Sequence, residues 1–315
     1  MSETIKISPR KLTDEEYFAS GHTACAGCGG AIAVRLAMKA LGEDTIVYVP
    51  ACCLIVFGAT YPLNAWKVPF LHVAFENSAA VTSGISRAQK IMGKKTNVVV
   101  FAGDGGTADI GFQALSGAAE RNENILYIMY DNSAYMNTGI QASSQTPMGA
   151  STTTTPAGKY IRAKREHKKD VPRILAGHDI PYVAMTSVGD WRDLYKKVAY
   201  AKDIVGMKYI QVDAPCPTGW RYPTGDTIKI AQLAIDTGYV ILGEWVNGEF
   251  RFTGKSKKFY EGKAERIPVE EYLKPQGRFR HLFRDEQGKE DIKKIQEWVD
   301  RRWRLYSKLA DMGSF

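Results

Sequence analysis

Five cysteines are the residues of this sequence best suited to metal or redox chemistry. Cys25 and Cys28 form a C-x-x-C pair, Cys52 and Cys53 are adjacent, and Cys216 lies far along the chain. They are too few and too unevenly placed for a disulfide framework in a chain of 315 residues. Four thiolates would ligate an iron-sulfur cluster or a zinc ion equally well, and the spacing does not separate the two.

The distribution of these cysteines favours the cluster. Zinc sites commonly use two close C-x-x-C pairs in a small knuckle, whereas this set spans most of the chain. A thioredoxin-like redox pair is a third alternative, but no strand of the thioredoxin type precedes Cys25. Consecutive side chains on an extended strand end point to opposite sides, so only one of Cys52 and Cys53 can be a ligand. The other is expected to be an ordinary buried thiol.

A glycine-rich turn with an aspartate suggests a second cofactor. Gly103-Asp104-Gly105 is followed, after 26 intervening residues, by Asn132, a spacing similar to the thiamine-diphosphate motif. That motif binds diphosphate through Mg²⁺, which requires octahedral oxygen ligands. Asp104 would supply a carboxylate, Asn132 a side-chain carbonyl and Ala134 a main-chain carbonyl. A GDG turn alone usually only connects a strand to a helix; the asparagine at the next strand end favours the magnesium site.

The glycines beside Asp104 are expected to serve the same site. Gly103, Gly105 and Gly106 lack side chains, which would let the main chain approach phosphate groups closely. A helix predicted over residues 108–120 would present its positive N-terminal end to those phosphates.

Four short apolar and β-branched runs are predicted to be the strands that position these groups. Each run is followed by candidate ligands: Cys52 and Cys53 after the first, the GDG turn after the second, Asn132 after the third and Cys216 after the fourth. The predicted strands cover residues 45–49, 97–102, 125–130 and 209–212. Apolar residues at helical spacing predict helices over residues 29–41 and 108–120.

This alternation predicts an α/β fold with a doubly wound, mostly parallel sheet of the thiamine-diphosphate-binding type. In such sheets, ligands bind outside the carboxyl ends of the strands. Cys53, Asp104, Asn132 and Cys216 all follow predicted strand ends, so we expect them to meet at one edge of the sheet.

The alternation of strand and helix stops after Trp220. We predict that residues 1–225 form the cofactor-binding α/β domain and that residues 226–315 form a C-terminal extension. The extension is expected to contain a hairpin over residues 239–252 that turns at Asn247-Gly248, then a basic segment. It should end in an amphipathic helix outlined by Ile292, Ile295, Trp298, Leu305 and Leu309.

Composition limits the class of protein. With 44% hydrophobic residues the chain can bury a large core, and its apolar runs are far below the roughly 18 residues of a membrane span. The N-terminus has no apolar signal region, so we expect a cytoplasmic protein. The net charge of +8 does not by itself select nucleic acid, a membrane surface or an acidic partner. Basic residues are dense over 159–169 and 255–284, which we expect to be solvated surface.

Three further features are given local roles. Residues 141–158 are rich in Ser, Thr, Gly and Pro and lack periodicity, which is typical of a lid or a subunit-contact loop. His22 is expected to be hydrogen-bonded locally rather than to act on a cofactor. Glu76 is expected to cap a helix or pair in the interior at least as readily as to act as an acid or base.

Longer stretches identify a family. The segments GHTACAGCG, FENSAAVTSGI, FAGDGGTADIGFQALSGAAERN, YDNSAYMNTGIQASSQTPMGA, APCPTGW and EEYLKPQGRFRHLF resemble the beta subunit of multi-subunit pyruvate:ferredoxin oxidoreductases, over essentially the whole chain. The resemblance implies a subunit that carries thiamine diphosphate with Mg²⁺ and a proximal 4Fe-4S cluster. It implies Asp104, Asn132 and Ala134 as magnesium ligands, and as cluster ligands Cys25, Cys28, Cys53 and Cys216.

The resemblance also implies a reaction and partners. The reaction is oxidative decarboxylation of pyruvate to acetyl-CoA and CO2, with single electrons passing through the cluster to ferredoxin. Asn137 falls where the family places an asparagine facing the 2-oxoacid. The implied partners are alpha, gamma and ferredoxin-like delta subunits, ferredoxin and coenzyme A. In this family another subunit supplies the glutamate that activates the cofactor, so the isolated chain is expected to be inactive.

Other functions remain open at this point. The same family acting on another 2-oxoacid or on oxalate would leave every motif unchanged. A non-oxidative thiamine-diphosphate decarboxylase would make the cysteines incidental. A zinc-stabilised nucleic-acid-binding module is motivated only by the net charge, and we expect neither a nucleic-acid nor a membrane partner.

Overall fold

The computed structural model describes residue 8 and residues 12–313. The sequence on which the absence of a signal was predicted lies largely outside this part of the chain. Within it, no helix is both long enough and apolar enough to cross a membrane.

One eight-stranded sheet organises the chain, in the order β2-β1-β3-β4-β6-β5-β7-β8. The first six strands in this order are parallel, and β7 and β8 are antiparallel. The strands are Thr45–Pro50 (β1), Phe70–Val73 (β2), Asn97–Gly103 (β3), Leu126–Asp131 (β4), Tyr182–Ser187 (β5), Lys208–Asp213 (β6), Gly243–Val246 (β7) and Glu249–Phe252 (β8). The predicted doubly wound, mostly parallel sheet is confirmed, and all four predicted strands are present.

Helices cover both faces of the sheet. They are Gly29–Leu41 (α1), Cys53–Gly58 (α2), Ser78–Ile91 (α3), Phe112–Glu120 (α4), Val171–Ala176 (α5), Trp191–Ala201 (α6), Pro217–Trp220 (α7), Thr227–Asp236 (α8), Gly254–Tyr260 (α9), Glu270–Leu273 (α10) and Glu286–Met312 (α11). Successive residues of the buried strands enter different cores: Val99 joins the core that contains α1 and α6, and Val100 joins the one that contains α4 and α11. This two-sided burial explains why the strands read as continuous apolar runs.

Two strands were not predicted. β2 is a four-residue edge strand with mostly exposed side chains, so it has no continuous apolar signal. β5 is fully buried but short, and it was not distinguished from the segment around it. β5 is separated from β4 in the sheet by one position. The next strand of the chain, β6, occupies that position and pairs with both β4 and β5.

The predicted C-terminal hairpin and terminal helix are both present. Asn247 and Gly248 have positive φ angles of 50° and 87°, as a tight hairpin turn between β7 and β8 requires. β7 pairs with β5, so this hairpin continues the main sheet, and α11 packs on β8. The division of the chain at about residue 225 stays a prediction.

Candidate functional site

The carboxyl ends of β3 and β4 bring the predicted oxygen ligands together. Asp104 directly follows β3 and Asn132 directly follows β4, and the two strands pair in parallel as far as Gly103 and Tyr130. Both side chains are buried. Residues 28 positions apart in the sequence therefore become neighbours because one βα unit separates them.

Three oxygens converge at this point. The Asn132 side-chain oxygen, as placed, lies 2.9 Å from Oδ1 of Asp104 and 3.0 Å from the main-chain oxygen of Ala134. Acceptors that face one another repel, so either the amide turns to donate to both oxygens or a cation lies among the three. The separations match the edge of about 2.9 Å of an octahedron with metal–oxygen bonds of about 2.0–2.1 Å. The residues fit a magnesium ion.

The charge of Asp104 is poorly compensated by the protein. Burial, and next the neighbouring carboxylate of Asp131, raise the pKa of Asp104 to about 8. The Ser143 hydroxyl donates a hydrogen bond of 2.5 Å to Oδ2 of Asp104. A bound cation would restore the ionised carboxylate, since it supplies the charge that the protein does not.

Asp131, by contrast, has a cation of its own. Lys168 Nζ lies 2.5 Å from its Oδ2, and Gln211 Nε2 donates to the same oxygen at 2.9 Å. These residues line a cavity of about 550 Å³ between the sheet and α11. The expectation that residues 159–169 are solvated surface is wrong here, because Lys164 is also buried, donating to Thr146 O at 2.8 Å. No sequence signal predicts these contacts, since both lysines lie within an ordinary basic run.

The helical segment that follows β3 begins earlier than predicted. Helical backbone begins at Asp104, and residues Gly106–Ile110 form a π-helix before α4 begins. Gly111 N donates to Gly106 O at 2.9 Å, the five-residue spacing of that helix type. The predicted start at residue 108 was wrong because apolar periodicity does not reveal the π-helical turn, at whose end a Cβ on Gly111 would lie 2.2 Å from Gly106 O.

Aromatic side chains explain two of the glycines. A Cβ at Gly105 would come within 2.4 Å of the Tyr135 ring, and one at Gly106 within 3.0 Å of the Phe75 ring. Any larger residue would displace these rings from the turn. Close approach of phosphate to the same glycines stays a prediction.

The loop predicted as a lid or subunit contact packs over the carboxyl ends of β3 and β4. Ser143 and Thr146 are buried, and Thr146 Oγ1 donates to Ser133 O at 2.7 Å. The loop therefore shields Asp104 from solvent. Contact with another subunit stays a prediction.

The cysteines form a second group at the same edge. Cys28 precedes α1, Cys53 opens α2 and Cys216 precedes α7, while Cys25 is exposed in the turn before α1. Gly29 N donates to Pro215 O at 3.1 Å, which joins the C-x-x-C turn to the Cys216 segment.

Cys53 lies near the other thiols, and Cys52 is among them. Burial raises the pKa of Cys53, and Cys52, Cys216, Cys28 and Cys25 raise it further. The Cys52 thiol donates to Pro50 O at 3.0 Å. The predicted extended strand end is corrected: Cys52 is extended, but Cys53 is the first residue of α2. The two side chains nonetheless have different surroundings, as predicted.

Zinc and an iron-sulfur cluster place different demands on the cysteine sulfurs. Across residues 12–313, no three His, Cys, Asp or Glu side chains converge closely enough to hold one metal ion. A zinc ion would need its sulfurs about 2.3 Å from one centre. A cluster instead binds one sulfur at each of several iron atoms, so its ligands lie farther apart. Gly219 N donates to Cys216 Sγ at 3.4 Å, a contact of the kind that tunes clusters. The assignment of the cysteines to a cluster rather than zinc stays a prediction.

Tyr130 lies between the oxygen group and the cysteine group. Its hydroxyl accepts a hydrogen bond from Leu54 N at 3.4 Å. A Cβ at Gly30 would lie 3.3 Å from its ring, and one at Gly103 would lie 3.4 Å from its hydroxyl oxygen. One buried side chain thus separates the two groups, which sequence reasoning did not identify.

The remaining candidates lie outside these groups. Asn137 is exposed in the turn that the Tyr135–Gln141 bridge closes, and its substrate role stays a prediction. The local role of His22 is confirmed, because Ala24 N donates to its Nδ1 at 3.4 Å. Glu76 is exposed, so the expected interior pairing is wrong.

Comparison with known proteins first defines the class. Residues 51–212 match the family described as thiamine pyrophosphate enzyme, C-terminal TPP binding domain. A solved 2-oxoglutarate:ferredoxin oxidoreductase from Magnetococcus marinus, with 2-oxoglutarate, coenzyme A and succinyl-CoA bound, superposes with a TM-score of 0.56. It covers 70% of this chain and 82% of that chain at 21% identity, which shows the fold. The fold and the matching domain family are those of a thiamine-diphosphate enzyme.

Close relatives narrow the class to a family. The pyruvate synthase subunit PorB of Methanocaldococcus jannaschii is 52% identical over 92% of this chain and 96% of that protein. The ketoisovalerate oxidoreductase subunit VorB of Pyrococcus abyssi is 48% identical over 96% of this chain and 97% of that protein. The chain belongs to this PorB/VorB family of subunits of thiamine-diphosphate-dependent 2-oxoacid:ferredoxin oxidoreductases. The predicted family is confirmed.

Proposed function

We propose that this chain binds magnesium thiamine diphosphate and a 4Fe-4S cluster in an enzyme that oxidises pyruvate to acetyl-CoA and CO2. Coenzyme A is the acyl acceptor, and electrons pass through a ferredoxin-like delta subunit to ferredoxin. Alpha and gamma subunits complete the enzyme. The observation that carries the proposal is that Tyr130 contacts Gly103, beside the facing oxygens of Asp104 and Asn132, and also contacts Gly30 and Leu54, beside the cysteines.

The oxygen group supports the first cofactor. The Asn132 side-chain oxygen lies at octahedral-edge distances from an Asp104 oxygen and from the Ala134 main-chain oxygen. Thiamine diphosphate, when bound, supplies the carbon nucleophile and electron sink that decarboxylation of a 2-oxoacid requires. The chain's own contribution is to hold the diphosphate end through magnesium, while Ser143 orients the Asp104 carboxylate.

The surrounding residues control charge and water. Lys168 neutralises Asp131, so the negative charge that remains available for a cation is that of Asp104. The 141–158 loop covers the carboxylate and lowers the local dielectric, which strengthens its attraction for Mg²⁺.

Cys25, Cys28, Cys53 and Cys216 are the proposed cluster ligands. The raised pKa values of Cys28, Cys53 and Cys216 have burial as their largest cause, with Cys216 at about 11. Buried thiols of this kind become thiolates when a metal replaces their protons. Cys52 is not among the proposed cluster ligands because its thiol donates a hydrogen bond to Pro50 O.

The substrate is proposed from the relatives. PorB relatives support pyruvate, while VorB relatives of nearly equal identity support a branched 2-oxoacid as the second candidate. Asn137 is the proposed contact to the 2-oxoacid; its exposure is consistent with a pocket completed by another subunit.

The test is anaerobic co-purification of the chain with its partner subunits and assay on a panel of 2-oxoacids with coenzyme A. The panel contains pyruvate, 2-ketoisovalerate, 2-oxoglutarate and oxalate, with ferredoxin reduction as the readout. We expect the highest kcat/KM on pyruvate and bound thiamine diphosphate, iron and acid-labile sulfide. A preference for 2-ketoisovalerate would show that this branched 2-oxoacid, and not pyruvate, is the substrate. An enzyme without acid-labile sulfide would contradict the proposal that the cysteines bind an iron-sulfur cluster.

A further inference from the structure

Helix α7 connects the two proposed cofactor groups. It begins directly after Cys216, and Trp220 N donates to Cys216 O at 2.9 Å. At its other end, the Trp220 indole Nε1 donates to the main-chain oxygen of Asn132 at 2.7 Å. Trp220 is fully buried. Trp220 thus forms hydrogen bonds with Cys216, a proposed cluster ligand, and with Asn132, a proposed magnesium ligand.

A buried arginine holds this tryptophan in place. The guanidinium carbon of Arg278 lies 3.7 Å from the centre of a Trp220 ring. Arg278 Nε donates to Gln276 Oε1 at 2.9 Å, and its side chain is 2% exposed. Within the described chain no carboxylate forms an ion pair with Arg278; the Trp220 ring face contacts its guanidinium, and the carboxylates of Asp213 and Asp131 act on it from farther away.

The backbone on either side is also fixed. Gly277 N donates to Arg221 O at 3.0 Å, which joins the Arg278 segment to the residue that follows α7. A Cβ at Gly277 would lie 2.7 Å from the Arg221 Cβ, so the two segments are in close contact. Rotation of Trp220 would therefore require displacement of this segment.

The molecule contains a similar arrangement far from the cofactor groups. Trp303 on α11 is buried, and its Nε1 donates to Gly238 O at 2.8 Å. The guanidinium carbon of Arg266 lies 4.9 Å from a Trp303 ring centre. Loss of the indole N–H at Trp303 would remove an equivalent hydrogen bond without touching either proposed cofactor group.

We infer that Trp220, supported by Arg278, is a positioning residue that fixes Asn132 and Cys216 relative to each other. The inference rests on the proposed function, since it assigns both residues to cofactors. It predicts that loss of the hydrogen bond from Trp220 Nε1 to Asn132 O changes both the binding of thiamine diphosphate and the spectrum of the cluster. A residue that only stabilised the fold would alter neither site selectively.

The test is Trp220→Phe in the assembled enzyme, with Trp303→Phe as the matched control. Phenylalanine keeps an aromatic ring for Arg278 but removes the N–H. We expect thiamine diphosphate to bind about 10–100-fold more weakly, the usual range for residues that orient metal ligands. We also expect a changed electron paramagnetic resonance spectrum of this chain's reduced cluster. Trp303→Phe should change neither quantity.

Arg278→Lys provides a second variant if Trp220→Phe does not assemble. Lysine keeps the charge but loses the planar stack, so the same two changes are expected, each smaller. A Trp220→Phe enzyme with wild-type affinity and spectrum would overturn the inference, and so would equal losses in Trp303→Phe. Wild-type enzyme without thiamine diphosphate or a cluster would instead overturn the proposed function, and the inference with it.

Discussion

Polar groups at the amino and carboxyl ends of the central strands have different kinds of partner. At the amino end, Glu123 pairs with Arg87 at 2.7 Å and with Arg121 at 3.0 Å, and Lys208 Nζ donates to Asn124 Oδ1 at 2.8 Å. At the carboxyl end, the Asn132 oxygen faces oxygens of Asp104 and Ala134, and Cys53 lies near other thiols, although Asp131 has Lys168 as its partner. Since buried polar groups normally find complementary partners, the facing oxygens and the neighbouring thiols support the proposal that ligands bind at the carboxyl end.

Removing the charge at the carboxyl end should have the largest effect. Asp104→Ala takes an anionic ligand from a hard cation, and water cannot replace its charge. We expect kcat/KM with pyruvate to fall by about 100-fold or more, since even residues that merely orient ligands cost 10–100-fold. Iron content should remain that of wild type. Depletion of iron together with activity would mean that the two groups are not separate sites.

The neighbouring cysteines test the other half of the carboxyl end. Cys53→Ala should lower the iron and acid-labile sulfide content of the enzyme and stop electron transfer, while thiamine diphosphate stays bound. Cys52→Ala is the matched control and should remove a buried thiol at a cost of about 1 kcal/mol. Iron analysis and electron paramagnetic resonance of both variants compare them. Iron loss in Cys52→Ala alone would show that the ligand is the other neighbour.

A smaller effect is expected from the hydroxyl that contacts Asp104. Ser143→Ala removes the 2.5 Å hydrogen bond to Oδ2 without changing any proposed ligand. We expect the concentration of Mg²⁺ needed for half-maximal activity to rise about 10-fold. Ser151→Ala, in the same loop, serves as the control because it removes a hydroxyl that accepts a hydrogen bond from Ala157 N and has no contact with Asp104. Equal magnesium requirements in the two variants would argue against a magnesium ligand at Asp104.

The amino end should respond only in stability. Burial lowers the pKa of Lys208 to about 7, below the roughly 10.4 of an unfolded lysine. Between these two pKa values the unfolded chain binds more protons than the folded chain. The contribution of Lys208 to the free energy of unfolding therefore rises with pH, by at most about 1.4 kcal/mol per pH unit. Lys208→Met should lose this slope and keep wild-type activity. Urea unfolding at pH 7, 8 and 9 measures the slope, and an unchanged slope would contradict the burial of this ammonium group.

The sequence predicted the elements that follow local patterns. Buried strands such as β3 and β4 read as short apolar runs, and the ligands at their ends follow from parallel topology. The short edge strand β2 and the π-helix at Gly106–Ile110 were missed, because exposure and glycine packing determine them rather than periodicity.

Long-range side-chain contacts were also outside the reach of sequence reasoning. Trp220 and Asn132 are 88 positions apart, and Ser143 and Asp104 are 39 positions apart. No local signal relates such pairs. Lys168 illustrates the same limit, since only the fold brings a lysine from a basic run to Asp131.

Magnesium-dependent binding of thiamine diphosphate most directly tests whether the oxygens at the carboxyl end form a cofactor site. The assembled enzyme would be depleted of divalent cations anaerobically, and binding measured calorimetrically as Mg²⁺ is restored. We predict that thiamine diphosphate binds only as Mg²⁺ rises, and that Asp104→Ala needs at least about 100-fold more Mg²⁺ than wild type. Tight binding without a divalent cation, or the same magnesium dependence in Asp104→Ala and wild type, would contradict the assignment of Asp104, Asn132 and Ala134.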